Sequence, residues 1–374
     1  MATVTVTVKQ FVPKFVYVAN LADEFIDDES ISAFRLDTIT GDLTELDDSP
    51  YYDVTPDQLT SDPQGKYLFA AGLNNGVYVY NINSTNGALT PVTGSPFMST
   101  DTSYMVNSVS VDPKGRFVYA ASKDAGSAFD SGYGYIESFS IDPVTGALTP
   151  IGEPIYIGNQ YYGNVIVHPS GKYLYAAVSD DNAVVAFSID QATGALNLIN
   201  TYYSGSPDFT GPAGVAIDPT GAYFFAKGDY EPSYIAAFSI DIATGILSEV
   251  TDSPFGPLEG SYAWHGLSFH PTKSVLYTAF YGSDYDAAAY TLDLVSGSLT
   301  LIGSYLSLFE SPGSDTIVVD RSGQFAFSTG YDDGSIARMT VDSGDGHLTE
   351  LGTTSVGAGP TSILVAGSLQ TATE

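Results

Sequence analysis

The chain has 374 residues, no cysteine and four histidines, and its 43 Asp and Glu against 12 Lys and Arg give a formal charge of −31. Disulfides and thiolate metal sites are excluded, four histidines are too few to point to zinc, and the field repels nucleic acid and anionic membranes while favouring cations, basic partners or high salt. No apolar run of about 18 residues is present, so no membrane span is expected, and the N-terminus lacks the charged and apolar regions of a signal peptide.

The first element is Thr3-Val4-Thr5-Val6-Thr7-Val8, a strict alternation of β-branched residues with no assigned sheet. Residues 1–13 are read as an N-terminal extension of β-strand character, with three readings open: a frayed tail, a strand paired with the outer edge of its own fold, or strand donation that builds a homo-oligomer. From Lys14-Phe15-Val16-Tyr17-Val18-Ala19 onward, short β-rich runs recur between Gly, Pro, Asp and Asn. One unit shows all four: Asn164–His168, Lys172–Val178, Ala183–Ile189 and Leu196–Asn200, termed strands A to D.

A Gly turn punctuates the chain seven times at a period near 50, from Thr40-Gly41-Asp42-Leu43 to Gly346-His347-Leu348. A second turn series runs from Asp62-Pro63-Gln64-Gly65 to Asp320-Arg321-Ser322-Gly323 with six copies. The expected fold is an all-β, seven-bladed β-propeller with four antiparallel strands per blade. Gly359-Pro360-Thr361-Ser362-Ile363-Leu364-Val365-Ala366 supplies the missing strand of the first blade and closes the ring; the propeller spans 14–368, and 369–374 form a tail.

Both turn series fall on one face and are structural. B-strand aromatics such as Phe69, Tyr119, Tyr175 and Phe327 are expected between blades, and His168, His270 and His347 are expected at the surface of the turn face. The irregular B to C loops lie on the opposite, upper face, with 15 acids against two cations, Lys123 and Lys227, and with many tyrosines. Carboxylates beside aromatic rings suit a cationic or carbohydrate ligand or a basic protein surface. No cofactor is required; calcium is the ion that acid-rich loops such as Asp23 to Glu29 would hold, although their spacing defines no site.

Each A strand begins near the axis on the upper face. Counting six residues back from the turn proline or its equivalent gives Asp57, Asn107, Gly163, Ala213, His265, Asp315 and Thr361, a ring at the channel mouth. His265, Asp315, Asp57 and Asn107 are the catalytic candidates: the carboxylate of Asp315 in the adjacent blade would orient His265 as a general base. Tyr161, Tyr162, Tyr262 and Trp264 are the ligand-binding candidates, and a lone His beside such aromatics also has a purely structural reading.

Gly115-Arg116-Phe117-Val118-Tyr119-Ala120-Ala121, the run from Ile136 to Leu148 and the closing Gly357-Ala358-Gly359-Pro360-Thr361 resemble the seven-bladed lactonase family, which includes propeller 6-phosphogluconolactonases and fungal carboxy-muconate lactonising enzymes. The resemblance covers about residues 14 to 368 and implies His, Arg and acidic groups around the mouth that bind an anionic lactone, with His265 at one such His position. Gly211-Pro212-Ala213-Gly214-Val215 departs from it, having small residues where the family carries Arg and His, so a phosphorylated lactone fits poorly.

Two functions follow from these residues. The first is a lactonase-like, non-catalytic interaction protein, self-assembling or extracellular, acting through its acidic, Tyr-rich face. The alternative is a lactone hydrolase or isomerase with its site at the channel mouth. The expected compartment is extracellular or periplasmic if a leader has been removed, and cytoplasmic otherwise.

Overall fold

The computed structural model describes residues 9–21, 29–52, 54–73, 76–98, 104–124, 132–160, 162–204, 206–228, 233–256, 258, 266–281, 285–311 and 313–371. The Thr3–Val8 segment lies outside them. Strands form seven antiparallel sheets, and no helix occurs among the described residues. Six sheets have four strands, and the third blade carries a fifth, Ile155–Gln160, paired with Gly132–Ile141.

In the first blade the C-terminal strand Pro360–Thr371 is innermost, followed by Lys9–Asn20, Ser30–Leu36 and Leu43–Glu45. The two terminal strands pair from Lys9 opposite Thr371 to Asn20 opposite Pro360, with register shifts between Pro13 and Phe15 and between Ala19 and Asn20, so the first blade is completed by strands from both ends of the chain. The other inner strands are Pro56–Ser61, Tyr104–Val111, Val165–Val167, Pro212–Ile217, Leu267–Phe269 and Ile317–Val319.

Seven apolar clusters fill the spaces between blades, and B-strand aromatics stand in them as expected. Four of the tyrosines also bond to the Gly turn of the following blade. Tyr17, Tyr119, Tyr175 and Tyr277 donate hydroxyl hydrogen bonds of 2.7 to 3.0 Å to the carbonyls of Gly87, Gly194, Gly245 and Gly346. Gly245 shows why the turn needs glycine: its φ is +75°, and a Cβ there would lie 2.5 Å from the Tyr173 ring. Within these turns Asp142, Asp190 and Asp293 accept N–H bonds from residues two and three further on, which holds their carboxyls below the usual range.

The other turn series corrects one expectation. His168 and His270 are not surface residues; both are 3% exposed. Asp62, Asp112, Asp218 and Asp320 cap their own turns, accepting the N–H five residues on, whereas the longer imidazoles reach the next blade. Nε2 of His168 donates to the Gly221 carbonyl at 2.9 Å, and Nε2 of His270 to that of Gly323 at 3.2 Å.

Neighbouring inner strands are laced by side chains. Ser362 Oγ accepts from Leu59 N–H, Gln58 Oε1 from Val109 N–H, Ser108 Oγ from Val165 N–H and Ser110 Oγ from Val167 N–H, at 2.8 to 3.1 Å. These bonds cross from blade to blade around the channel and fix the radial position of the mouth.

Candidate functional site

A register shift recurs where each inner strand starts. Asn107, Ala213 and Thr361 are each the extra residue of a β-bulge opposite the B strand, and Asp57 lies within another. A bulge re-aims one side chain and leaves its neighbours in the ladder. Four blades thus give the mouth residue the same backbone treatment, and these are positions the count from the turn proline selected.

The described ring members are buried: Asp57, Asn107 and Thr361 are 0% exposed and Asp315 3%. The structure brings three of them together. Asn107 Nδ2 donates to Asp57 Oδ2 at 3.4 Å, and Thr361 Oγ1 donates to the Asp57 carbonyl at 2.8 Å. Asn107 Oδ1 has no hydrogen-bond partner among the described residues, an unmet acceptor in a fully buried amide.

In the fourth blade Gly163 leaves space that Gln160 takes. Gln160 is fully buried, donates through Nε2 to the Ser122 carbonyl at 2.8 Å, and places Oε1 2.1 Å from where a Cβ on Gly163 would stand. The count from the proline missed Gln160 because it belongs to the preceding blade.

Asp315 sits in a hydroxyl-rich pocket. Thr329 Oγ1 accepts from the N–H groups of Asp315 and Thr316 at 3.2 and 3.0 Å, and Ser314 and Ser328 share a 2.5 Å hydroxyl contact. Tyr281, which stands edge-on to Tyr331 at 6.1 Å, donates to Asp332 Oδ1 at 3.3 Å. Burial, Asp332 and Asp315 raise the Tyr281 hydroxyl above its ordinary pKa, so it stays a neutral donor.

His265, Tyr161, Tyr262 and Trp264 lie outside the described residues. Tyr162 is 2% exposed and packs beneath the ammonium of Lys123, 5.4 Å from its ring centre. Lys123 and Lys227 correct the sequence reading: they are not rim cations in loops but fully buried residues at the upper ends of Phe117–Asp124 and Tyr223–Gly228. Lys227 lies 5.9 Å from the Phe280 ring centre.

Several rim acids likewise have structural partners. Asp286 accepts from the N–H groups of Leu308, Phe309 and Gly313, and its burial raises its carboxyl pKa. Asp181 accepts from the main-chain N–H and the side-chain amide of Asn159, and Asp333 from the main-chain N–H groups of Glu310 and Ser311. Asp286 and Asp333 clamp the segment that leads into the seventh blade's inner strand, and Asp181 ties the fourth blade to the fifth strand of the third. Among the described residues no group of three or more His, Asp or Glu could hold a metal ion.

The four arginines lie away from the upper mouth. Arg338 pairs with Asp42 at 2.6 Å and Arg116 with Asp112 at 3.0 Å, while Arg35 stacks on Phe15. Arg321 donates to the Pro63 carbonyl and lines a cavity of about 410 Å³ with Thr60, Ser61, Ser268 and Val365. That cavity lies at the turn-face end of the channel, the opposite end of the inner strands from Asp57.

Comparison with known proteins agrees with this architecture. The SMP-30/Gluconolactonase/LRE-like region matches residues 56–241. A 6-phosphogluconolactonase of Serratia proteamaculans is 23% identical over 313 residues, covering 82% of this chain and 73% of that protein. Another of Formosa agariphila is 32% identical over 134 residues, covering 33% of this chain and 36% of that protein. Among solved structures, the periplasmic gluconolactonase of Pseudomonas aeruginosa superposes with a TM-score of 0.75 at 16% identity over 96% of this chain and 100% of that one. A Lactobacillus plantarum protein gives 0.72 at 16% identity over 94% and 99%.

Proposed function

We propose that this lactonase-like propeller hydrolyses an unphosphorylated lactone at its upper channel mouth. The observation that carries the reading is the buried polar ring of Asp57, Asn107 and Asp315, the first two of them at bulges in the ladder, in a chain whose relatives bear lactonase names. Hydrolysis adds water to the ester carbonyl carbon, breaks the ring C–O bond and yields a hydroxy acid.

In this scheme His265 takes the proton of the attacking water and returns one to the departing ring oxygen. Asp315, in the next blade, orients the imidazole and stabilises its protonated form. The Asn107 amide, held by Asp57, donates to the developing oxyanion. The positions of all four arginines argue against a phosphate on the substrate, since planar bidentate recognition has no donor at this end.

The test is a panel of sugar and aliphatic lactones, with and without phosphate, assayed on the purified chain and on H265A, D315N and D57N, with melting curves as fold controls. An unphosphorylated lactone should be turned over, and H265A should lower kcat/KM by about 100-fold. Turnover no faster than buffer, or an H265A variant as active as the parent, overturns the reading. The first of these outcomes would favour the non-catalytic binding role, which the burial of the whole described ring also suits.

A further inference from the structure

The third blade carries a feature that the mouth does not use. Its upper end rises on four strands, Tyr104–Val111, Phe117–Asp124, Gly132–Ile141 and Ile155–Gln160. Register places Tyr104, Asp124, Tyr133 and Asn159 directly opposite one another, so the four share a face in a single row. In the parallel row Tyr135 stands opposite Tyr156.

The rings form one connected surface. Tyr104 and Tyr135 stack at 4.7 Å between centres with 15° between planes, and Tyr156 stands edge-on to Tyr135 at 5.9 Å and to Tyr133 at 6.0 Å. Stacking holds the inner pair, while the outer pair faces solvent: Tyr133 is 57% exposed and Tyr156 53%. Asp124 and Asn159 are exposed beside them. Rigid, partly exposed aromatics in contact with one another are the makings of a recognition surface, since a lone surface tyrosine needs no such support.

We propose that this face binds a glycan bearing cationic amino sugars. Ring faces suit the apolar faces of pyranose rings, and the row spans three strand spacings, about 14 Å at roughly 4.8 Å each, enough for more than one linked sugar. The charge requirement comes from Asp124 within the row and from a chain of net charge −31, which together select a positive ligand and reject sulfated or uronic glycans. Asp124 accepts from the sugar ammonium, and Tyr133 and Tyr156 stack on the rings. This binding requires no reaction at the mouth.

The experiment is calorimetric titration of the whole chain with a glucosamine oligomer, its fully N-acetylated counterpart, a cello-oligosaccharide and oligolysine, at about 0.15 M salt. The glucosamine oligomer should bind tightest. Y133A/Y156A, whose side chains are more than half exposed, should melt like the parent and bind it roughly tenfold more weakly, through lost ring contacts. D124N should erase the preference over the acetylated oligomer. The proposal is overturned if the glucosamine oligomer does not bind, if the neutral oligomers or oligolysine bind equally well, or if the tyrosine variants bind unchanged. Equal binding of oligolysine would mark the face as a docking site for basic protein segments instead.

Discussion

His168 and His270 each join two blades through a neutral ring. In His168, Nε2–H donates to Gly221 while Nδ1 accepts from the Ser170 N–H at 3.0 Å, so a second proton on the ring removes an acceptor that the turn uses. Burial lowers the pKa of both from their ordinary 6.5. A lowered imidazole pKa means the unfolded chain binds protons more readily, so stability from these residues is complete above about pH 6.5 and drains as pH falls through the folded value. The double variant H168Q/H270Q keeps a donor and cannot titrate. Its melting temperature should fall less than that of the parent between about pH 7.5 and pH 5.5, and parallel curves would count against the link. At Tyr175, replacement by Phe strands the Gly245 carbonyl and should cost about 1 kcal/mol in urea unfolding. The sequence showed Asp and His as equivalent turn residues. It did not show that an imidazole, being longer than a carboxylate, would bond to the neighbouring blade.

Strands and turns were legible because their signals are local: Gly for positive φ, Asp before Pro for capping, paired aromatics for the second strand. The bulged positions Asp57, Asn107, Ala213 and Thr361 could be picked out for a related reason, since the turn proline or its equivalent sets a fixed distance along each inner strand. The bulges themselves at Asn107, Ala213 and Thr361 were not legible, because a register shift belongs to the pairing of two strands. Lys123 and Lys227 were misplaced because their strands continue past the apolar run, to Asp124 and Gly228. The closing strand yields an element-scale prediction. Removing residues 359–374 takes away the inner partner of Lys9–Asn20 and the buried Ile363 and Val365. The truncated chain should lose its cooperative thermal transition, and melting like the full chain would contradict the closure.

Over the whole molecule the excess of 31 negative charges acts at a distance that no single pair describes. Several upper-face acids clamp main-chain N–H groups, so they hold the loops together locally while repelling one another across the face. Screening weakens the repulsion more than the short charge-assisted bonds. Raising sodium chloride from about 0.05 to 0.5 M should therefore raise the melting temperature, and an unchanged value would show that the clamps already balance the field. Composition announced this field, whereas ligand identity depends on which acids remain facing solvent, and only the fold sorts them. One consequence of the paired terminal strands concerns mounting. Lys9 and Thr371 are opposite one another at the turn-face end of their strands. A tether, fused domain or solid support joined beside Lys9 or Thr371 would therefore meet the propeller at its turn face, at the opposite end of the strands from the channel mouth and the tyrosine surface of the third blade.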